Sequence, residues 1–255
     1  SVLATSRLTN GYLWPLAFTL ELSSAEKLQA QHSQRIGLMD DDQRVIAEVE
    51  VDKLYRLPSA IAQHNDIQPE TWFVAGKIQS LAKVLHPTFN SIRHTTSGLK
   101  KDLLKNDWNS VIAVSGQSPL NQQDMRQACQ WLKEGGANSA APSGGILLQV
   151  NANGYNQQLR EQMRELRSLI RCNAAKQVKL SLIPKLSGMN EKQQLLLQTL
   201  VAKNYGATGF IISADTAKSA RNWVLKHRDE IGLDIRPARR STTAYRNVKN
   251  HVNSL

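Results

Sequence analysis

The chain has 255 residues, 41% of them aliphatic or aromatic and 21% charged, which fits one large or two modest globular domains. It has no apolar run near the ~18 residues a membrane-spanning helix needs, and "SVLATSRLTNGYLWP" lacks the pattern of a secretion signal, so a cytoplasmic protein with no membrane partner is expected. The net charge of +11 permits an anionic partner without establishing nucleic-acid binding, and much of it falls beyond Arg221, in what reads as a solvated tail.

The N-terminal third reads as strand-rich. "YLWPLAFTLEL" (12–22) is a run of β-formers interrupted by Pro15. In "SSAEKLQAQ", Ser23 and Glu26 have the spacing of a capping box ahead of a short helix. "MDDDQR" (39–44) is a polar turn between strands. "RVIAEVEVDKLY" alternates through Val45, Ala47, Val49 and Val51, the period of a half-buried strand, and "TWFVAGKI" is a further strand candidate. A small β-rich fold is expected here, with its boundary in "HTTSGLKKDLLKND" (94–107).

Beyond that boundary strands and helices alternate. "WNSVIAV" (108–114), "GGILLQV" (144–150), "VKLSLIP" (178–184) and "GFIIS" (209–213) read as buried strands. Met125, Ala128, Cys129 and Leu132 make one helical stripe, and Leu159, Met163, Leu166 and Ile170 make a second. "EKQQLLLQTLVAKNYG" predicts a third helix closed by Gly206, and "AKSARNWVLKHRDEIG" a fourth capped by Gly232. Such alternation implies a parallel sheet, in which ligands sit at the carboxyl ends of the strands. Residues 115–124 and 213–219 fall at such ends. "GGANSAAPSGG" (135–145) reads as a flexible loop; it lacks the lysine of a phosphate-binding loop and precedes a strand.

Other chemistry finds little support. The six histidines show no paired metal-ligand spacing, and Cys129 and Cys172 read as buried free thiols; no metal is expected. There is no G-x-S-x-G, and aromatics at 5% argue against a base-stacking platform.

Two stretches, "DWNSVIAVSGQSPLNQQD" (107–124) and "LVAKNYGATGFIISADTAKS" (200–219), resemble the ATP sulfurylase (sulfate adenylyltransferase) family. "RLTNGYLWPLAFTLEL", "DKLYRL" and "WFVAGKIQSL" are similar to that family's leading domain, so the likeness spans about residues 6–235. It implies a PUA-like β-rich domain over 1–98, then a Rossmann-like, nucleotidyltransferase-like α/β domain with a parallel sheet over 99–235, and a basic tail or linker over 236–255.

The resemblance also locates what has changed. The family's strand-end Gln, Arg and Asn fall on Ser115, Gln117 and Ser118, with Gly116 between them and Pro119 retained. Its two histidines fall on Asn121 and Asp124. Its G-R-D-H-A-G falls on Ser213, Ala214, Asp215, Thr216, Ala217 and Lys218. Two further arginines fall on Gly188 and Gln193. The family's reaction brings sulfate to the α-phosphorus of ATP, so catalysis is positioning plus cationic stabilisation. Each lost donor costs roughly 2.7–4 kcal/mol. Gln117, Ser118, Asn121 and Asp124 are therefore expected to be non-functional as catalytic residues. Ser115, Gly116, Gln117, Pro119, Asn121, Ser213, Asp215, Ala217 and Lys218 remain ligand-binding candidates, for ATP or adenylylsulfate if any.

Three readings stay open. The first is a non-catalytic sulfurylase homologue with a structural, regulatory or nucleotide-sensing role, partnered by an adenylylsulfate kinase domain or protein, or by copies of itself. The second is an enzyme with a shifted site, where Lys203, Lys218, Arg221 and Arg126 supply the positive charge. The third, the least favoured, is a nucleic-acid-binding module built on the PUA-like domain and the basic surface. Asp215, the retained polar residue, also has a plain alternative as a helix N-cap.

Overall fold

The structure, a computed structural model, describes residues 2–16, 19–40, 42–64, 67–68, 70–82, 89–116, 122–135, 143–152, 157–172, 177–184 and 189–239. The chain divides into two compact units, Ser1–Thr88 and Phe89–Leu255.

The first unit contains α1 (Val2–Thr5), β1 (Leu20–Leu22), α2 (Ser24–Ser33), β2 (Arg35–Met39), β3 (Val45–Arg56), α3 (Ser59–His64) and β4 (Trp72–Ser80). Its sheet is antiparallel in the order β1-β4-β3-β2. α2 begins at the expected capping box: the Glu26 amide donates to Ser23 Oγ, and the Ser23 amide donates to the Glu26 carboxylate, which holds that carboxyl below its usual range. The 39–44 turn closes on Asp40, whose Oδ1 accepts from the Asp42 and Arg44 amides. Of the run 12–22, only Leu20–Leu22 is a strand; Leu13 makes an isolated bridge to Arg7. The alternation in β3 breaks at a bulge between Val51 and Lys53, after which Leu54 takes the inward place. Opposite the bulge stands Gly76, where a Cβ would lie 1.9 Å from the Glu50 carbonyl oxygen, so only glycine lets the two backbones approach. Leu22, Ala30, Val49 and Val74 form the core.

The second unit opens with a 3₁₀ turn at Asn90–Ile92 and α4 (Thr96–Lys105). Then follow β5 (Ser110–Gly116), α5 (Gln122–Lys133), β6 (Gly144–Ala152), α6 (Gln157–Cys172), β7 (Val178–Pro184), α7 (Glu191–Asn204), β8 (Gly209–Ile212), α8 (Lys218–Lys226), α9 (Arg228–Ile231) and β9 (Asp234–Pro237). All five strands are parallel, in the order β7-β6-β5-β8-β9. The helical stripes of α5 (Met125, Ala128) and α6 (Leu159, Met163, Leu166) bury against Ile112, Val114, Leu148 and Leu182. Gly206 (φ +97°) follows α7, and Gly232 (φ +72°) follows α9, as their positions require.

Three expectations change here. The stretch 94–107, where the boundary is expected, holds α4 within the second unit: Thr95 caps it, Leu99 and Leu103 are buried, and Asp102 pairs with Lys179 of β7 at 3.0 Å. The single helix expected over 217–232 breaks at His227, whose Nδ1 lies 2.8 Å from the Trp223 carbonyl oxygen. β9 carries the sheet past residue 235 into the expected tail. Gly144 and Gly145, shared by the expected 135–145 loop and the expected 144–150 strand, begin β6; a Cβ on Gly145 would lie 2.2 Å from the Trp108 ring. Residues 136–142 and 240–255 lie outside the described residues.

Candidate functional site

The sheet order reverses between β5 and β8: the chain moves outward through β6 and β7, then returns to the other side of β5. Neighbouring connections leave in opposite directions at that point, which opens a crevice at the carboxyl ends of the two strands. Ser115 pairs with Ile212 across it. On one side β5 ends at Gly116; on the other the chain turns through Ser213, Ala214, Asp215 and Thr216 into α8. The described ends of the two stretches, Gly116 and Ser213–Thr216, therefore lie at one crevice. Gln117, Ser118, Pro119 and Asn121 lie outside the described residues, as do Gly188 and the side chain of Ser115.

The 213–216 turn holds itself together. The Asp215 amide donates to Ser213 Oγ at 3.5 Å, and the Thr216 amide to the Ser213 carbonyl at 3.1 Å. Ala217, not Asp215, is the N-cap of α8, and it makes no side-chain cap bond. Asp215 stands exposed and Ala214 is buried. Lys218 opens α8, also exposed, and is the sole cation in the segments 115–124 and 213–218.

Asp124 is the unexpected member. Its place in the first turn of α5 suits a carboxylate, yet it is 1% exposed. Burial pushes its carboxyl above the usual aspartate value; the Ser213 hydroxyl and the Ala214 amide pull it down, and the Asp215 charge adds to the rise. Those two donors are close enough to favour the ionised form, but neither carboxyl oxygen makes a well-aligned hydrogen bond. Asp124 is thus a buried acid packed against the β8–α8 turn, not a surface charge projecting into the crevice.

Sequence reading passed over a second buried polar group. Gln149 of β6 and Ser181 of β7 pair in register and share one face of the sheet. Both are fully buried, with the Gln149 amide atoms and Ser181 Oγ unpartnered. The available signal was polar residues interrupting "GGILLQV" and "VKLSLIP", two otherwise apolar strands.

The four cations considered as replacements separate. Lys203 Nζ donates to the Ile231 carbonyl at the end of α9 and is tied to the scaffold. Arg126 lies exposed on α5 and Lys218 exposed at the start of α8. Arg221 lines a groove beside β9 with Arg236 and Arg239. Gln193 closes the capping box of α7 with Asn190. Cys129 is half-buried, its thiol pushed up by burial, and the Cys172 side chain lies outside the described residues. Among the described residues no group of three or more His, Cys, Asp or Glu could hold a metal ion, and no helix is long and apolar enough to cross a membrane.

No protein-family model matches the chain. It is 24% identical over 269 residues to a sulfate adenylyltransferase of Schizosaccharomyces pombe, covering 93% of this chain and 54% of that protein. A sulfate adenylyltransferase of Yarrowia lipolytica is 24% identical over 263 residues (91% of this chain, 45% of that protein). One from Saccharomyces cerevisiae is 23% identical over 237 residues (87% and 45%). The chain spans about half the length of the curated relatives it matches. Among solved structures, one titled a hexameric APS kinase from Thiobacillus denitrificans matches with a TM-score of 0.67 at 22% identity, covering 94% of this chain and 44% of that one. At that identity the likeness concerns the fold.

Proposed function

We propose that this chain is a sulfate-adenylyltransferase-like protein whose strand-end site no longer transfers an adenylyl group, and that it serves a structural, regulatory or nucleotide-sensing role in sulfate assimilation. On this reading the unit Ser1–Thr88 is PUA-like and the second unit is a Rossmann-like nucleotidyltransferase domain. Partnership with an adenylylsulfate kinase, self-association and a cytoplasmic location belong to the same proposal. Relatives that match most of the chain and a parallel sheet with an order reversal support the lineage.

The observation that carries the loss of activity is Asp124. Adenylyl transfer to sulfate must hold two polyanions together while charge moves onto pyrophosphate. Preorganised cations and hydrogen-bond donors supply that stabilisation, each worth roughly 10²–10³ in rate. Here the segment 115–124 has no Lys, Arg or His, and its helix begins with a buried carboxyl. In the ionised state that carboxyl would repel phosphate across a few ångströms of low-dielectric protein; in the neutral state it supplies no charge to replace what is missing.

The test uses a polypeptide containing the whole of this chain, with ATP, sulfate and Mg²⁺. We expect no pyrophosphate release above the protein-free rate. Calorimetry with ATP and adenylylsulfate then separates a nucleotide sensor from an inert scaffold. Adenylylsulfate production at rates usual for the relatives would end the proposal.

A further inference from the structure

The positive charge missing from the β5–β8 crevice gathers elsewhere in the same unit. A groove of about 800 Å³ runs along β9, between α5 and α8. Small-molecule sites enclose roughly 300–1,000 Å³, so its size suits a metabolite. Its walls bring together Arg221 of α8 with Arg236 and Arg239 at the carboxyl end of β9. Among its described lining residues the one acid, Glu134, accepts from Gln130 Nε2 at 2.9 Å.

The three arginines are held differently. Arg236 lies over the Trp131 ring at 4.0 Å from its centroid and pairs with Asp234 at 3.0 Å, which fixes its guanidinium. Arg239 is placed by its backbone: its amide donates to Gln127 Oε1 and its carbonyl accepts from Gln127 Nε2, both at 2.9 Å. With its main chain clamped, the Arg239 side chain is left to the groove. Arg221 stands half-buried one turn into α8. Among the described residues neither Arg221 nor Arg239 is in a salt bridge. Trp131, 4% exposed and part of the wall, carries its ring under Arg236, with an indole Nε1–H that is closed off from solvent and has no partner.

Strand addition to β9 is a poor use of this surface. The strand has four residues, includes Pro237, which lacks an N–H, and carries charges at Asp234 and Arg236, features that protect sheet edges. Uncommitted guanidinium groups, which bind oxyanions bidentately, instead suit a compact anion.

We propose that the groove along β9 is a binding site for the phosphate-type oxyanion of a small molecule, with Arg221 and Arg239 as its ligating side chains and Arg236 as a fixed electrostatic wall. The site is separate from the β5–β8 crevice and does not depend on whether that crevice turns over substrate.

The experiment is an ¹⁵N NMR titration of the protein with inorganic pyrophosphate, followed at the Trp131 Nε1–H and at the Nε–H groups of Arg221 and Arg239. Saturable shifts are expected at these three, with affinity falling about tenfold or more in Arg221→Gln/Arg239→Gln, because bonds between charged partners are lost. The Arg221→Lys/Arg239→Lys variant keeps the charge but loses the fork, so it should bind less tightly than the parent and more tightly than the glutamine pair. Asp124→Asn, at the other site, should bind as the parent does. Non-saturating shifts spread over surface cations, or undiminished affinity in the glutamine pair, would overturn the assignment.

Discussion

A single carboxyl separates what the site looks like in sequence from what it is in three dimensions. Asp124 reads as a charge at a helix N-terminus, where carboxylates are common and stabilising. The fold instead buries it against Ser213 and Ala214, and burial raises its pKa. The sign of the consequence follows from linkage. Below the unfolded-state value, ~3.9, Asp124 is protonated in both states and burial carries no charge penalty. As pH rises past that value, the unfolded carboxyl ionises while the buried one resists. Stability then falls by up to about 1.4 kcal/mol per pH unit until the folded pKa is passed. Asp124→Asn does not titrate, so its melting temperature should gain on the parent's from pH 4 upward and level off above the folded pKa. A constant difference across the range would show that the carboxyl is not perturbed. Asp215 makes the converse point: its sequence context suited a cap, but the backbone enters α8 two residues later, at Ala217.

Helix and strand periods were legible because they are local. The capping box of α2, the stripes of α5 and α6, and the glycines after α7 and α9 all act within a turn or two of chain. The α7 box gives a prediction at this scale. Asn190→Ala leaves the Gln193 amide without its side-chain acceptor and should cost about 1 kcal/mol of stability by urea denaturation, with pyrophosphate binding unchanged. A loss below a few tenths would mean that water satisfies the amide equally well. What failed at this scale was termination and length. A helix expected to run from 217 to 232 turns at His227, and β9, only four residues long, carries too short a pattern to distinguish it from tail. The stretch 94–107 was expected to hold the boundary; in the helix it forms, Leu99 and Leu103 bury while Lys100, Lys101 and Leu104 stay in solvent.

Each of the two units has a core of its own, and the larger buries far more apolar surface. Hydrogen exchange followed through a urea titration should therefore show two cooperative openings, with peptides from β3 and β4 released at lower urea than peptides from β5 and β6. One concerted opening of all four strands would contradict that. The amino-acid sequence alone determined four of the second unit's five strands and the helices between them, that these strands pair in parallel, and that the segment 115–124 holds no cation. Tertiary structure alone decided the strand order that places the end of β5 and Asp124 beside the turn after β8, the burial of Asp124, and the convergence of Arg221, Arg236 and Arg239 on one groove. The reason is physical: hydrophobic period and capping act between near neighbours and are written along the chain. Burial and the meeting of distant charges depend on which strand lies beside which, and strand neighbours are chosen by contacts remote in sequence.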